Sequence, residues 1–340
     1  MSADVGGRMR RRAALAAGIV ATVLVAFAVR RVVPAPTAVA ARTAPPAVPA
    51  PAHAEPRVAP LALPARPRVL VFAPHPDDET IGVGGLIARL VRAGAPLRVV
   101  FVTNGDGYQR AVEHDFEVAH PSDADYVTFG ELRQREAVAA LARLGVSHRQ
   151  IRFLGFPDGG LGELWQLHWL PSHPYTSPYT KESSPPEPEG IGYDGKDLTS
   201  VVSRLLRDFR PSVVVMPHPY DTHLDHAYTS YFVTEALTSL QAERVLPVRV
   251  SVLTYLVHHP SWPAIRGPDF DRMNPLGNVP DTAWVETELA PAEREAKRAA
   301  LEEYRTQLEV MNGFLRNFLC RNELFATVDR RVLDRIASIH

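Results

Sequence analysis

The chain has one cysteine in 340 residues, Cys320. That excludes an intramolecular disulfide framework and a cysteine-rich zinc site, so any bound metal must be held by His, Asp or Glu. An excess of one charge is also missing, because 37 basic residues face 38 acidic ones for a formal net charge of −1. Without a basic surplus there is no electrostatic basis for nucleic acid as a partner. No GxGxxG turn follows the first strand-like run, which argues against a dinucleotide-binding oxidoreductase. No internal repeat is present. Proline is not scarce but concentrated: residues 34–67 hold ten prolines and twelve alanines with almost no periodic apolar pattern. Such a stretch cannot bury enough surface to fold, and it reads as a disordered, extended linker.

An uncharged run from Ala13 to Val29 lies between Arg8, Arg10, Arg11 and Arg12 on one side and Arg30 and Arg31 on the other. Residues 1–33 therefore read as a short cytoplasmic tail with a signal-anchor, or with a signal peptide cut near Ala38-Val39-Ala40. The leading arginines place the amino terminus in the cytoplasm and the rest of the chain outside. The expectation is a domain of residues 68–340 on the extracytoplasmic side of the cell membrane, anchored once or secreted after cleavage.

From Pro67 onward strand and helix patterns alternate. Strands are expected at Val69–Phe72, Leu97–Val102, Ile151–Phe156, Ser212–Met216 and Val248–Val257, with a weaker one at Trp284–Glu288. Helices are expected at Gly84–Arg92, Glu131–Leu144, Leu198–Phe209, roughly Asp225–Leu240, and Glu293–Leu319 with a break near Asn312-Gly313. Strands alternating with helices imply parallel pairing, hence a Rossmann-like, doubly wound α/β fold with a mainly parallel sheet. Residues 162–197 lack such a pattern and read as a long functional loop. Its Trp165, Trp169, Tyr175 and Tyr179 either stack on a ligand or form a small core under the loop.

Two clusters carry chemistry. His75-Pro-Asp-Asp-Glu79 follows the first strand directly, and crowded carboxylates stay ionised cheaply only beside a cation, unless they merely cap the next helix. Pro217-His-Pro-Tyr-Asp-Thr-His-Leu-Asp-His226 follows a later strand, with His223 and His226 three residues apart. Parallel strands would bring both clusters to one edge of the sheet, where open α/β folds bind ligands. Together they supply enough donors for a metal and spare groups for acid–base work.

The paired motifs resemble the LmbE-like/PIG-L family of metal-dependent de-N-acetylases, and the resemblance runs over most of residues 68–327. Leu132-Arg-Gln-Arg-Glu136, Phe153-Leu-Gly-Phe-Pro-Asp158, Lys297 to Gln307, and Arg321-Asn-Glu-Leu-Phe325 resemble further family segments. Leu224 departs from the pattern, since many relatives carry proline there. The resemblance implies a zinc-dependent hydrolase that removes an N-acetyl group from an amino sugar or glycoconjugate. Its ligands would be His75, Asp78 and His226, with Fe2+, Mn2+ or Co2+ as other metals for such a set. Asp77 would be the general base acting on zinc-activated water. His223 would serve as acid or oxyanion donor, and Asp225 would orient an imidazole. Arg133 and Asp158 would contact substrate, although Arg133 is equally placed to pair with Glu136. Glu79 would support the ligands by hydrogen bonding. His168, His173, His218 and Asp221 receive no role. Two other readings stay open: a metal-containing, non-catalytic carbohydrate-binding envelope protein, and an amidase acting on a thiol-sugar conjugate. The substrate's identity and the oligomeric state stay open too.

Overall fold

Val69–Ala73 (β2) is apolar and buried at every position, as expected for a strand covered on both faces. In the computed structural model, which describes residues 58–247, 249–263, 271–277 and 279–338, it lies inside a single eight-stranded sheet. The other strands are β1 (Ala59–Pro60), β3 (Leu97–Thr103), β4 (Ile151–Phe156), β5 (Val213–Pro217), β6 (Ser251–Tyr255), β7 (Thr282–Glu288) and β8 (Asn322–Val328), in the spatial order β1-β7-β8-β6-β5-β2-β3-β4. From β6 to β4 all pairings are parallel, while β8 runs antiparallel to both β6 and β7. The doubly wound, mainly parallel reading holds.

Side chains alternate along β2, so Val69, Val71 and Ala73 enter one core and Leu70 and Phe72 the other. The first core is closed by helices α1 (Asp78–Arg92), α3 (Asp123–Arg143), α7 (Pro291–Leu301) and α8 (Arg305–Arg316). The second is closed by α4 (Leu161–Gln166), α5 (Gly195–Phe209), α6 (Leu224–Ala242) and α9 (Arg330–Ala337). A short α2 (Gln109–Asp115) packs Ala111 and Val112 against Tyr126 and Phe129 of α3. The aromatics of the 162–197 segment divide between the two expected roles. Trp165 and Trp169 pack on Phe232 and Tyr175 joins the same core, while Tyr179 lines a cavity.

Three expectations are corrected. The linker boundary at 67 falls too late, because Ala59-Pro60 pair with Val285-Glu286 and Leu61 donates its N–H to Glu286 O. The helix expected over Glu293–Leu319 stops at Leu301, ahead of Asn312-Gly313, because Tyr304 leaves helical geometry (φ −82°, ψ 62°) and turns inward. Met311 then interrupts α8 with φ −132°. Strand β8 escapes the apolar pattern because it begins with Asn322 and Glu323, both fully buried and hydrogen-bonded. The Ala13–Val29 run and residues 34–57 lie outside the described residues, and no helix among the described residues is long and apolar enough to cross a membrane.

Candidate active site

The two acidic–histidine clusters meet at the carboxyl ends of β2 and β5, adjacent strands at the middle of the sheet. The chain leaves β2 through Pro74, whose carbonyl accepts both the N–H and the Oγ1–H of Thr103 from β3. It then enters α1 at Asp78. His75, Asp77, Asp78, Asp158, His223 and Arg133 all line one cavity of about 300 Å3.

His75, Asp78 and His226 converge on one point, with a donor atom from each within 4.8 Å of the others. Asp78 Oδ2 lies 3.1 Å from His75 Nδ1 and 3.2 Å from His226 Nε2. The far side of each imidazole faces another carboxylate. His75 Nε2 is 3.2 Å from Asp225 and 3.0 Å from Asp158, and His226 Nδ1 is 3.3 Å from Asp221. Carboxylates behind imidazoles are the usual means of orienting histidine ligands. His226 is fully buried, yet neither ring nitrogen has a partner in hydrogen-bond geometry. Burial alone would lower its pKa, but the carboxylates of Asp78 and Asp221 outweigh that and push it up to about 9. Two nitrogens and one carboxylate that demand a positive charge fit a divalent cation, and zinc suits the donor set.

Asp77 stands beside this set and does something different. Its backbone is left-handed (φ 125°), a strained geometry for a residue with a side chain, and its carboxylate makes no cap to α1. Instead Oδ2 accepts from Arg133 Nη2 at 3.1 Å. Burial raises its pKa to about 8, with Arg133 pulling against that and Asp78 adding to it. A cation at the neighbouring ligands would pull it further toward the ionised form. Arg133 is buried, donates to Gly105 O (2.6 Å) and Pro76 O (2.5 Å), and faces the cavity. The carboxylate of Glu136 accepts from the N–H and hydroxyl of Thr306.

Gly105 is required by this arrangement: at φ 64°, an added Cβ would collide with Arg133 Nη1. Gly105→Ala is expected to displace the guanidinium and lower kcat by about tenfold or more, since small misplacements near reacting groups are costly. A kcat within twofold of wild type would count against Arg133 as the group that sets Asp77.

The remaining expected residues are also brought here. His223 lines the cavity 4.9 Å from the His75 ring, its Nδ1 unpartnered. Burial, reinforced by His75 and His226, lowers its pKa to about 4, so it is a neutral imidazole. Asp225 reaches across to His75 and also accepts from the N–H groups of Gly159 (2.7 Å) and Leu161 (3.1 Å). Asp158 accepts from Gly107 N at 2.7 Å, and despite its burial the His75 imidazole holds it below the usual carboxylate range. Glu79 is wholly buried. It accepts from Asp77 N (3.2 Å), Thr80 Oγ1 (2.5 Å) and Tyr304 Oη (2.5 Å).

Asp221 is the residue that sequence reasoning passed over. Besides flanking His226, it accepts from the N–H groups of His223, Val257 and His258, each at 3.0 Å. Its place in the same cluster, two residues before His223, was the available signal. Asp221→Asn is expected to weaken metal binding roughly 10- to 100-fold, read by competition with a chromogenic chelator. His258 was missed too, although it follows an expected strand end, and its ring lies 4.7 Å from that of His226. His218 is structural, accepting from Tyr220 N and lying 3.1 Å from Thr282 Oγ1.

The profile of the PIG-L family, described as GlcNAc-PI de-N-acetylase, matches residues 70–237. A 1D-myo-inositol 2-acetamido-2-deoxy-alpha-D-glucopyranoside deacetylase from Thermobispora bispora is 31% identical over 261 residues, covering 72% of this chain and 80% of that protein. The chain belongs to the PIG-L family. A protein of the same name from Mycobacterium sp. (strain KMS) is 35% identical over 177 residues, and this PIG-L chain spans 51% of that relative's length. Among solved structures, a conserved protein from Thermus thermophilus is 22% identical, covering 77% of this chain and 94% of that one with a TM-score of 0.49.

Proposed function

We propose that this PIG-L-family chain is a metal-dependent hydrolase that removes the acetyl group from an N-acetylated amino sugar or its glycoside. The observation that carries the reading is Asp77: a strained, buried carboxylate, aimed by Arg133, beside three converging donors and serving no structural cap. A protein that only bound sugar would have no use for such a group. The names of the sequence relatives, deacetylases of an acetamido-sugar glycoside, support the same class.

His75, Asp78 and His226 would hold the metal, with zinc the expected ion. A divalent cation there supplies the acidification of water and the polarisation of the amide carbonyl that hydrolysis needs at neutral pH. Asp77 takes the proton from the attacking water and passes it to the departing amine nitrogen. Arg133 aims Asp77 and, together with a cation at the neighbouring ligands, favours its ionised form. Neutral His223 donates its N–H to the carbonyl oxygen as charge develops there. Asp221 and Asp225 fix the two ligand imidazoles, and Asp158 lines the cavity where sugar hydroxyls would lie.

The arginine-flanked run at 13–29 supports placing this domain outside the cytoplasmic membrane. Membrane-fraction recovery of the full chain, with the run still attached, tests the anchored form. The activity is tested by acetate release from a panel of N-acetylglucosamine compounds with zinc-loaded protein. Release no faster than from the Asp77→Asn variant across the whole panel would sink the reading.

A further inference from the structure

A second group of metal-binding donors lies where α2 packs on α8. His114 and Asp115 end α2, and Glu309 stands in the second turn of α8. Each offers a donor atom within 4.8 Å of the other two, and none of the three lines the cavity that holds His75. Val310, next to Glu309, packs against Ala111, Val112 and Phe129, so apolar contact already joins the two helices.

The group that needs a ligand is Asp115. Its side chain is only 9% exposed, and its Oδ1 is buried without a hydrogen-bond partner. A buried carboxylate oxygen left in that state is costly. Burial raises the Asp115 pKa, and the facing carboxylate of Glu309 raises it further. Among the described residues no lysine or arginine comes within ion-pair reach of either carboxylate, and His114 alone faces them. The spacing suits an ion. His114 Nδ1 lies 3.2 Å from Glu309 and 3.7 Å from Asp115. Charge-assisted N–H···O bonds run at about 2.7–2.9 Å, whereas donors around a tetrahedral zinc with bonds of ~2.0–2.1 Å stand roughly 3.3 Å apart.

We propose that His114, Asp115 and Glu309 form a second metal site, separate from His75, Asp78 and His226, that takes a divalent cation of the zinc class. Mg2+ and Ca2+ prefer all-oxygen sets, so the imidazole selects against them. The His114 and Glu309 side chains are half exposed, which leaves coordination positions to water and lets the ion exchange with solvent. An ion bound there ties the last turn of α2 to α8. Tyr108, just before α2, and Gln307 and Met311 of α8 line the cavity, so the tie fixes two of its walls relative to each other. The site takes no part in the hydrolytic chemistry and stands or falls without it.

The test is calorimetric titration of the full chain with Zn2+ in a buffer that does not chelate it. Wild type is expected to show two binding events. Glu309→Gln and Asp115→Asn, each made singly and checked by thermal melting, should weaken the weaker event by about tenfold or more and leave the stronger one within about twofold. Asp221→Asn, behind His226, should weaken the stronger event instead. A single event in wild type overturns the site. So does a weaker event that neither Glu309→Gln nor Asp115→Asn changes, because such binding comes from scattered surface histidines. Amide hydrogen exchange reads the tie: residues 109–115 should exchange about threefold or more slowly once zinc saturates the weaker event, and Glu309→Gln should abolish that slowing. Exchange in wild type that stays the same across the weaker event overturns the tie.

Discussion

Replacing Asp77 by Asn is expected to lower kcat for deacetylation by about 10²- to 10⁴-fold, the usual contribution of a positioned general base. Bound metal should be unchanged. The amide keeps an oxygen for Arg133 Nη2, and Arg133 also stays tied to Gly105 O and Pro76 O, so the local backbone has no reason to move. The ligand atoms of His75, Asp78 and His226 are untouched by the change. What is lost is the ability to accept a proton. Stopped-assay kinetics together with metal analysis of the purified variant check both halves. A kcat within tenfold of wild type, at full metal content, would remove Asp77 from the role of base.

The largest stability effect is expected away from the cavity, at Lys297. This lysine is 1% exposed, and its Nζ donates to Ile81 O (2.8 Å) and Glu323 Oε1 (2.7 Å). Glu323, fully buried, also accepts from the N–H groups of Gly85 (2.8 Å) and Leu86 (2.9 Å) in α1. Removing one member of a buried pair strands the other charge, so Lys297→Met should cost about 3–5 kcal/mol. Pairing it with Glu323→Gln should recover part of that loss, because no net charge is then left in the interior. Urea unfolding of wild type and of these two variants measures both numbers. A single-variant loss below about 1 kcal/mol would mean that the α1 amides alone satisfy Glu323.

The parallel half of the sheet was legible because β2 and β5 are buried at every position and read as unbroken apolar runs, with β3 interrupted only by Arg98 before its terminal Thr103. The carboxyl-terminal part was not. Strand β8 opens with Asn322 and Glu323, whose polarity mimics a loop, yet those side chains face inward to Met273 and Lys297. The donors were legible because their chemistry is dense in sequence, as with His75, Asp78 and His226. Asp221 stood in a legible cluster but its role did not show, because much of its work is done on backbone N–H groups of residues 257 and 258, far along the chain. Tyr304 was visible only through resemblance. Its contact with Glu79 depends on a turn between α7 and α8 that helical periodicity alone runs through.

That contact joins residues 225 positions apart, and the Lys297 bridge to Ile81 spans 216. A growing polypeptide thus exposes His75 to Glu79 early in synthesis but gains the braces behind them only when its last segment arrives. Contacts so distant along the chain form late and slow the acquisition of native structure. A product ending between residues 226 and 291 would hold His75, Asp78 and His226 and none of the braces from α7 or Tyr304. The three converging donors are therefore translated well before the segment that braces α1 behind them.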